Sequence, residues 1–169
     1  MTDPQPRSLL ARYCLDSSFF IDLWDSEGEF SRDVFKGIWD ALEDGVSQGT
    51  ILAPEVVKEE LLDTEDAQQK QWISTQGGMF VPLDMGQVRI LAEIVDAYPK
   101  YAEEPRNLAD PGVVALAKCD ELVVLTSEKR AQQHSRKKPK IPNVCEDFGV
   151  ESLSIINWCR AEEITVVRS

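Results

Sequence analysis

Short apolar runs alternate with longer stretches of helical periodicity along this chain. Residues 12–16 (RYCLD) read as a buried strand that stops at an acid, and Phe19 to Trp24 as an apolar-rich helical turn that Ser17 or Ser18 can cap. Between Ser31 and Gln48, the residues Phe35, Ile38, Trp39, Leu42 and Val46 recur at helical spacing, and Gly49 ends the pattern. Residues 50–53 (TILA) predict a second strand, and Pro54 stands where a first helical residue belongs, opening a helix through Leu62. Acidic and amide residues from 63 to 71 predict an exposed helix ending near Gly77-Gly78, followed by a strand at 79–81 that Pro82 closes. Val88, Leu91, Ile94, Val95 and Tyr98 mark an amphipathic helix, and residues 99–106 a loop. Asp110-Pro111 begins a helix reaching about Cys119, and 122–126 (LVVLT) is a run typical of a central parallel strand. A last strand is expected at 150–155, before a helix containing Trp158.

Helices separating short apolar strands predict an α/β fold, a short central parallel sheet of about four or five strands flanked by helices. In such sheets function gathers at the carboxyl ends of the strands. The 169 residues suit one domain, with residues 1–11 as a flexible polar tail and residues 129–140 as a basic loop. No apolar run approaches a membrane span, and the N-terminal segment lacks the apolar core of a signal peptide, so a cytoplasmic location is expected.

Charge changes the picture because it is uneven. Residues 129–140 (KRAQQHSRKKPK) carry six Lys or Arg and no acid; taking those six positive charges from the net −12 leaves −18 on the remainder. Phosphate affinity comes from Lys and Arg, so such an acidic body meets nucleic acid only locally, with Arg136, Lys137 and Lys138 the obvious candidates and a solvated loop the plain alternative. Arg32 is a further candidate for phosphates, against an ordinary helix-surface ion pair. The cysteines Cys14, Cys119, Cys145 and Cys159 form no CxxC pair and read as buried thiols. Neither GxGxxG nor GxxxxGK[ST] is present, and the only histidine, His134, lies in the basic run, which leaves serine–histidine hydrolysis without support.

What remains is acids in unusual places. Asp16 ends the first strand, as a helix cap or as a carboxylate turned to a metal or solvent. Glu60 stands four after Val56 and three after Val57 and is expected to project from the helix's apolar face, while Glu59 shares the outer face with Glu55 and Leu62. Asp110 before Pro111 has the grammar of an N-cap, which a ligand role for its other oxygen does not exclude. Glu128 follows the LVVLT strand by two residues.

In their order and spacing, YCLDSSFFI, ILAPEVVKEELL, ADPGVVALA and LVVLTSEK resemble the PIN domain family, in the bacterial toxin-type group of domain of unknown function 4411. The likeness extends from about Tyr13 to Trp158. It implies a Rossmann-like PIN fold in which three or four acids hold Mg²⁺ or Mn²⁺ and single-stranded RNA is hydrolysed to a 3′-hydroxyl and a 5′-phosphate. By position it makes Asp16, Glu60, Asp110 and Glu128 the catalytic set, with Asp16, Asp110 and Glu128 as metal ligands and Ser17 and Thr126 in support. It further implies the toxin half of a toxin–antitoxin pair, with an antitoxin protein as partner and a homodimer as a common assembly. Two departures stand out: the family's Asp-Thr-Asn is Asp16-Ser17-Ser18 here, and its Thr-x-Asp is Thr126-Ser127-Glu128. The alternatives are a catalytically degenerate PIN-like binding module and a phosphatase-like α/β enzyme.

Overall fold

Five short parallel strands carry the architecture: β1 (Tyr13–Leu15), β2 (Ile51–Pro54), β3 (Phe80–Val81), β4 (Val123–Leu125) and β5 (Ser152–Leu153). They form one sheet in the order β3-β2-β1-β4-β5. The computed structural model describes residues 10–166, apart from the side chain of Arg106. Of the tail expected at residues 1–11, all but Leu10 and Ala11 lies outside the described residues. The central strands are buried on both faces, Cys14, Leu15, Ile51, Ala53, Val124 and Leu125 being inaccessible to water. That requires cover on both sides and explains their continuous apolar character.

The flanking helices are α1 (Ser17–Trp24), α2 (Lys36–Ser47), α3 (Glu55–Leu62), α4 (Ala67–Ser74), α5 (Met85–Ala97), α6 (Ala109–Asp120), α7 (Ile141–Asp147) and α8 (Ile155–Ala161). Several begin as their sequence dictates. Asp84 and Gln87 form a reciprocal capping box on α5, Asp66 caps α4, and Ser154 caps α8. No helix among the described residues is long and apolar enough to cross a membrane.

Some boundaries differ from expectation for physical reasons. The periodic stretch from Ser31 is helical only from Lys36, because residues 31–35 turn back on themselves with Ser31 bonded to Asp33 and Phe30 packed on Phe35. Pro54 ends β2 and caps α3 from an extended conformation instead of opening it. Residues 99–106 are not plain loop: Pro99–Ala102 and Pro105–Leu108 are single 3₁₀ turns. The expected last strand shrinks to Ser152–Leu153, since Ser154 already caps α8. Helix α7 has no counterpart in the expected elements, although Ile141, Val144 and Cys145 do mark a buried face at helical spacing. Cys119 is exposed, unlike the buried Cys14 and Cys145. Residues 45–49 spell GVSQG, which matches a G-x-S-x-G string, but Ser47 ends a helix and leads into a strand, the reverse of a nucleophile elbow.

Sheet order decides where chemistry can gather. The chain runs outward from β1 through β2 to β3, then returns to β1's other side for β4 and β5. The crevice at such a reversal, beyond the carboxyl ends of the strands, is the usual ligand site of open α/β sheets. Tyr13, Cys14 and Leu15 pair with Val123, Val124 and Leu125, so Asp16 and Thr126 are the next residues in register across that reversal.

Candidate functional site

Asp16 leaves β1 with its backbone N–H donating to the Leu125 carbonyl at 2.9 Å, a last rung between β1 and β4. It occupies the N-cap position of α1 yet makes no side-chain cap bond. Instead Oδ2 accepts from Ser18 Oγ at 2.5 Å and from Thr126 Oγ1 at 2.9 Å. Burial, leaving the residue 2% exposed, pushes its carboxyl up to about 6. The two hydroxyl bonds oppose that rise, and the charges of Glu128 and Glu60 add to it.

Ser18, which by local pattern is only a candidate helix cap, ties the site together. Its hydroxyl also accepts from the Ser127 N–H at 3.0 Å and lies 3.2 Å from Thr126 Oγ1. It bridges the ends of β1 and β4. Ser17 donates instead to Glu60 Oε1 at 2.7 Å, holding α3's carboxylate toward the end of β1.

Asp110 is not the N-cap that the Asp-Pro order predicted. The 3₁₀ turn at Pro105–Leu108 runs straight into α6, so Leu108 takes the cap position and Asp110 is the second helical residue. Helix α6 comes close to α3, since a Cβ on Gly112 would stand 3.0 Å from Val56 Cγ1. That approach brings Asp110 toward Glu60. Burial, and then the charges of Asp16, Glu128 and Glu60, push the Asp110 carboxyl up to about 8 against the pull of Lys140.

Two of the four acids sit differently from expectation. Glu60 is exposed, because Val57 and Leu61 take the core-facing positions of α3 and leave it at the edge of that face. Leu62, expected outside, packs against the core instead. Glu128 accepts from the Ile141 N–H at 2.7 Å, which draws its carboxylate toward the start of α7. Its charge nevertheless reaches Asp16 and Asp110. With Glu60 and Glu128 each tied to another group, no three His, Cys, Asp or Glu side chains among the described residues already stand at metal-holding spacing.

A cleft of about 690 Å³ opens over this cluster, lined by Glu60, Asp110, Tyr101, Lys137, Lys138 and Lys140 among others. Asp16 is not on its wall, and Glu128 lines a neighbouring cavity with Thr126, Ser127 and Arg130. The basic segment is fastened rather than free. Ala131 and Asn143 exchange two hydrogen bonds, Arg130 pairs with Glu146, His134 pairs with Asp147, and Arg136 donates to the Ala97 carbonyl. Lys137 and Lys138 reach the cleft, while Arg136 turns to the end of α5. Arg32 lies elsewhere, its guanidinium 3.4 Å from the Trp24 ring centroid and 5.5 Å from that of Trp39. This stacking, with Asp66 close enough to feel its charge, replaces the surface ion pair that was expected.

The donor chemistry narrows what the cluster can hold. Two carboxyls raised by burial and by the charges of neighbouring acids are a site short of positive charge, and all-oxygen donors suit a hard divalent cation. The nearby Cys145 thiol is pushed up to about 12 by burial and by Asp16, Glu128 and Glu146, which keeps it protonated at neutral pH.

A five-stranded parallel sheet flanked by helices, with its strand order reversing between β1 and β4, defines a Rossmann-like α/β domain. The fold is similar to that of FitAcB from Neisseria gonorrhoeae, with a TM-score of 0.52 at 13% identity over 85% of this chain and 98% of that one. FitAB bound to an IR36 DNA fragment is similar to the same degree, at TM-score 0.52 and 13% identity over 85% and 94%. The model of the family described as domain of unknown function (DUF4411) matches residues 13–166, and the chain belongs to that family. No curated protein matches the sequence.

Proposed function

We propose that this protein is a metal-dependent endoribonuclease that hydrolyses single-stranded RNA, acting as the toxin of a toxin–antitoxin pair. The observation that carries the chemistry is the gathering of the buried Asp16 and the half-buried Asp110, both raised chiefly by burial and Asp110 also by the charge of Asp16, at a cleft that presents Asp110 with Lys137, Lys138 and Lys140. The likeness to FitAB supports the PIN-like toxin–antitoxin side of this reading. An antitoxin protein is the partner it entails.

In this reading Asp16 and Asp110 hold Mg²⁺ or Mn²⁺, with Glu128 joining them on release from the Ile141 N–H and Glu60 orienting water. The ion, when bound, supplies Lewis-acid activation of water and a counter-charge for the phosphate. The chain's own part is positioning. Ser18 and Thr126 fix one Asp16 oxygen and leave the other uncommitted by those two bonds, and Ser17 steers Glu60. Lys137 and Lys138 neutralise substrate phosphates that the acidic body would otherwise repel.

Incubating the protein with a labelled single-stranded RNA, with Mg²⁺, with Mn²⁺ and with EDTA, tests the reading. Cleavage that requires the ion and leaves 5′-phosphate ends is expected; ion-independent cleavage, or hydrolysis of a phosphomonoester instead, refutes it. The lysines give a separate check. The double variant Lys137→Glu/Lys138→Glu is expected to weaken RNA binding and lower the slope of log affinity against log salt by about 2, roughly one unit per lost phosphate contact. An unchanged slope in a fluorescence-anisotropy titration means the RNA takes another path.

A further inference from the structure

Tyr101 lies in the 3₁₀ turn Pro99–Ala102, and its ring is 4% exposed. Its hydroxyl is buried and has no hydrogen-bond partner among the described residues. Tyr98, three residues earlier and packed against the Tyr101 ring with centroids 6.1 Å apart, shows the ordinary outcome. Its hydroxyl donates to Asp147 and lies 2.5 Å from His134 Nε2. A buried hydroxyl left unpaired costs free energy, and one that persists at a cleft calls for a partner that enters from the cleft, a water, an ion or a ligand.

The surroundings of Tyr101 specify that ligand. It lines the same cleft as Asp110, Lys137, Lys138 and Lys140. The charges of Asp110 and Glu128 act on its hydroxyl, yet neither carboxylate accepts from it. Burial and those charges hold the phenol in its neutral form, a donor at neutral pH. Lysines on the cleft wall favour an anion, and a neutral donor beside the acids is where such an anion can be bonded without further positive charge.

We propose that the Tyr101 hydroxyl is a substrate-binding donor that bonds a non-bridging phosphate oxygen at the acidic end of the cleft. The proposal deepens the nuclease reading and rests on it for the identity of the phosphate as part of an RNA chain. It assigns Tyr101 direct contact with substrate, with Lys137 and Lys138 taking adjacent phosphates.

Tyr101→Phe in the full chain is the test, because it removes one oxygen and keeps the packed ring. Three quantities are measured: melting temperature, affinity for inorganic phosphate by calorimetry in divalent-free buffer, and kcat/KM on single-stranded RNA with Mg²⁺. The melting temperature is expected to hold or rise, while phosphate affinity and kcat/KM each fall roughly tenfold or more, the loss of one hydrogen bond to a charged group. A variant that binds phosphate and cleaves RNA as the wild type does overturns the proposal and leaves the nuclease reading standing. A wild type inert on RNA, with phosphate binding weakened by the substitution, overturns the nuclease reading and supports the donor. Absence of phosphate binding in both proteins overturns the donor, as does a fall in melting temperature, which would show the hydroxyl to be a structural element.

Discussion

Asp16→Asn is expected to lose RNA cleavage by roughly 10³-fold or more while melting at a higher temperature than the wild type at pH 8 in EDTA. The first effect follows because the ion contributes several kcal/mol of transition-state stabilisation, and each ~1.4 kcal/mol is tenfold in rate. The second follows from burial. Asp16 is 2% exposed, and its carboxyl is raised from 3.8 to about 6, so at pH 8 the folded protein holds an ionised group that its surroundings disfavour. A shift of that size corresponds to on the order of 3 kcal/mol, most of which a neutral amide recovers. Asn keeps an oxygen to accept from Ser18 and Thr126, so the network at the ends of β1 and β4 has no reason to open. Loss of activity together with loss of stability would make Asp16 a structural residue. Retained activity would remove it from the site.

Stability of the metal-free protein is expected to fall as pH rises from about 4 to about 8, and divalent ions are expected to reverse that trend. Both site carboxyls are raised on folding, Asp16 from 3.8 to about 6 and Asp110 from 3.8 to about 8. Between the unfolded and folded values the native state therefore holds protons that the unfolded chain has released. Its stability is fully present below about pH 4 as far as these groups are concerned, declines through the window, and levels off above about pH 8. Because the rise of Asp110 includes the charge of Asp16, the two shifts are not independent and their effects on stability do not simply add. Saturating Mg²⁺ or Mn²⁺ favours the ionised forms and stabilises only the folded state, by about 2.7 kcal/mol at a hundred times Kd. Urea titrations at pH 5 and pH 8, each with EDTA and with Mg²⁺, measure this. Equal stability at both pH values in EDTA, or no response to either ion at pH 8, contradicts it.

The parts of the fold that were legible in the sequence are those governed by local pattern. Residues 13–15 and 122–125 are apolar runs that buried strands need, and of the predicted amphipathic face Leu91, Ile94, Val95 and Tyr98 do meet the core while Val88 stays exposed. Asp16 was legible as an acid ending a strand; its bonding to Thr126 was not, because that depends on β4 lying next to β1. Ser18 was hidden for the same reason. Its partners Thr126 and Ser127 are more than a hundred residues away, and locally a serine after a strand reads as a cap. Asp110 was misjudged by local grammar, since Asp-Pro predicts a cap unless a preceding 3₁₀ turn carries the helix further back. Glu60 shows the limit of periodicity: Val57 and Leu61 fix the face, but one step around the helix separates the packed side from the rim. Tyr101 gave no signal at all, because an unpaired hydroxyl exists only once everything around it is placed.

The central claim is that Asp16 and Asp110 together hold a divalent cation. A crystal soaked with Mn²⁺, with anomalous scattering recorded, tests it most directly. The account predicts one strong peak within about 2.3 Å of an oxygen from each of Asp16 and Asp110, distances ordinary for a hard divalent ion. A fully soaked crystal with no peak between these two side chains, or with its ion held by other residues, would contradict it.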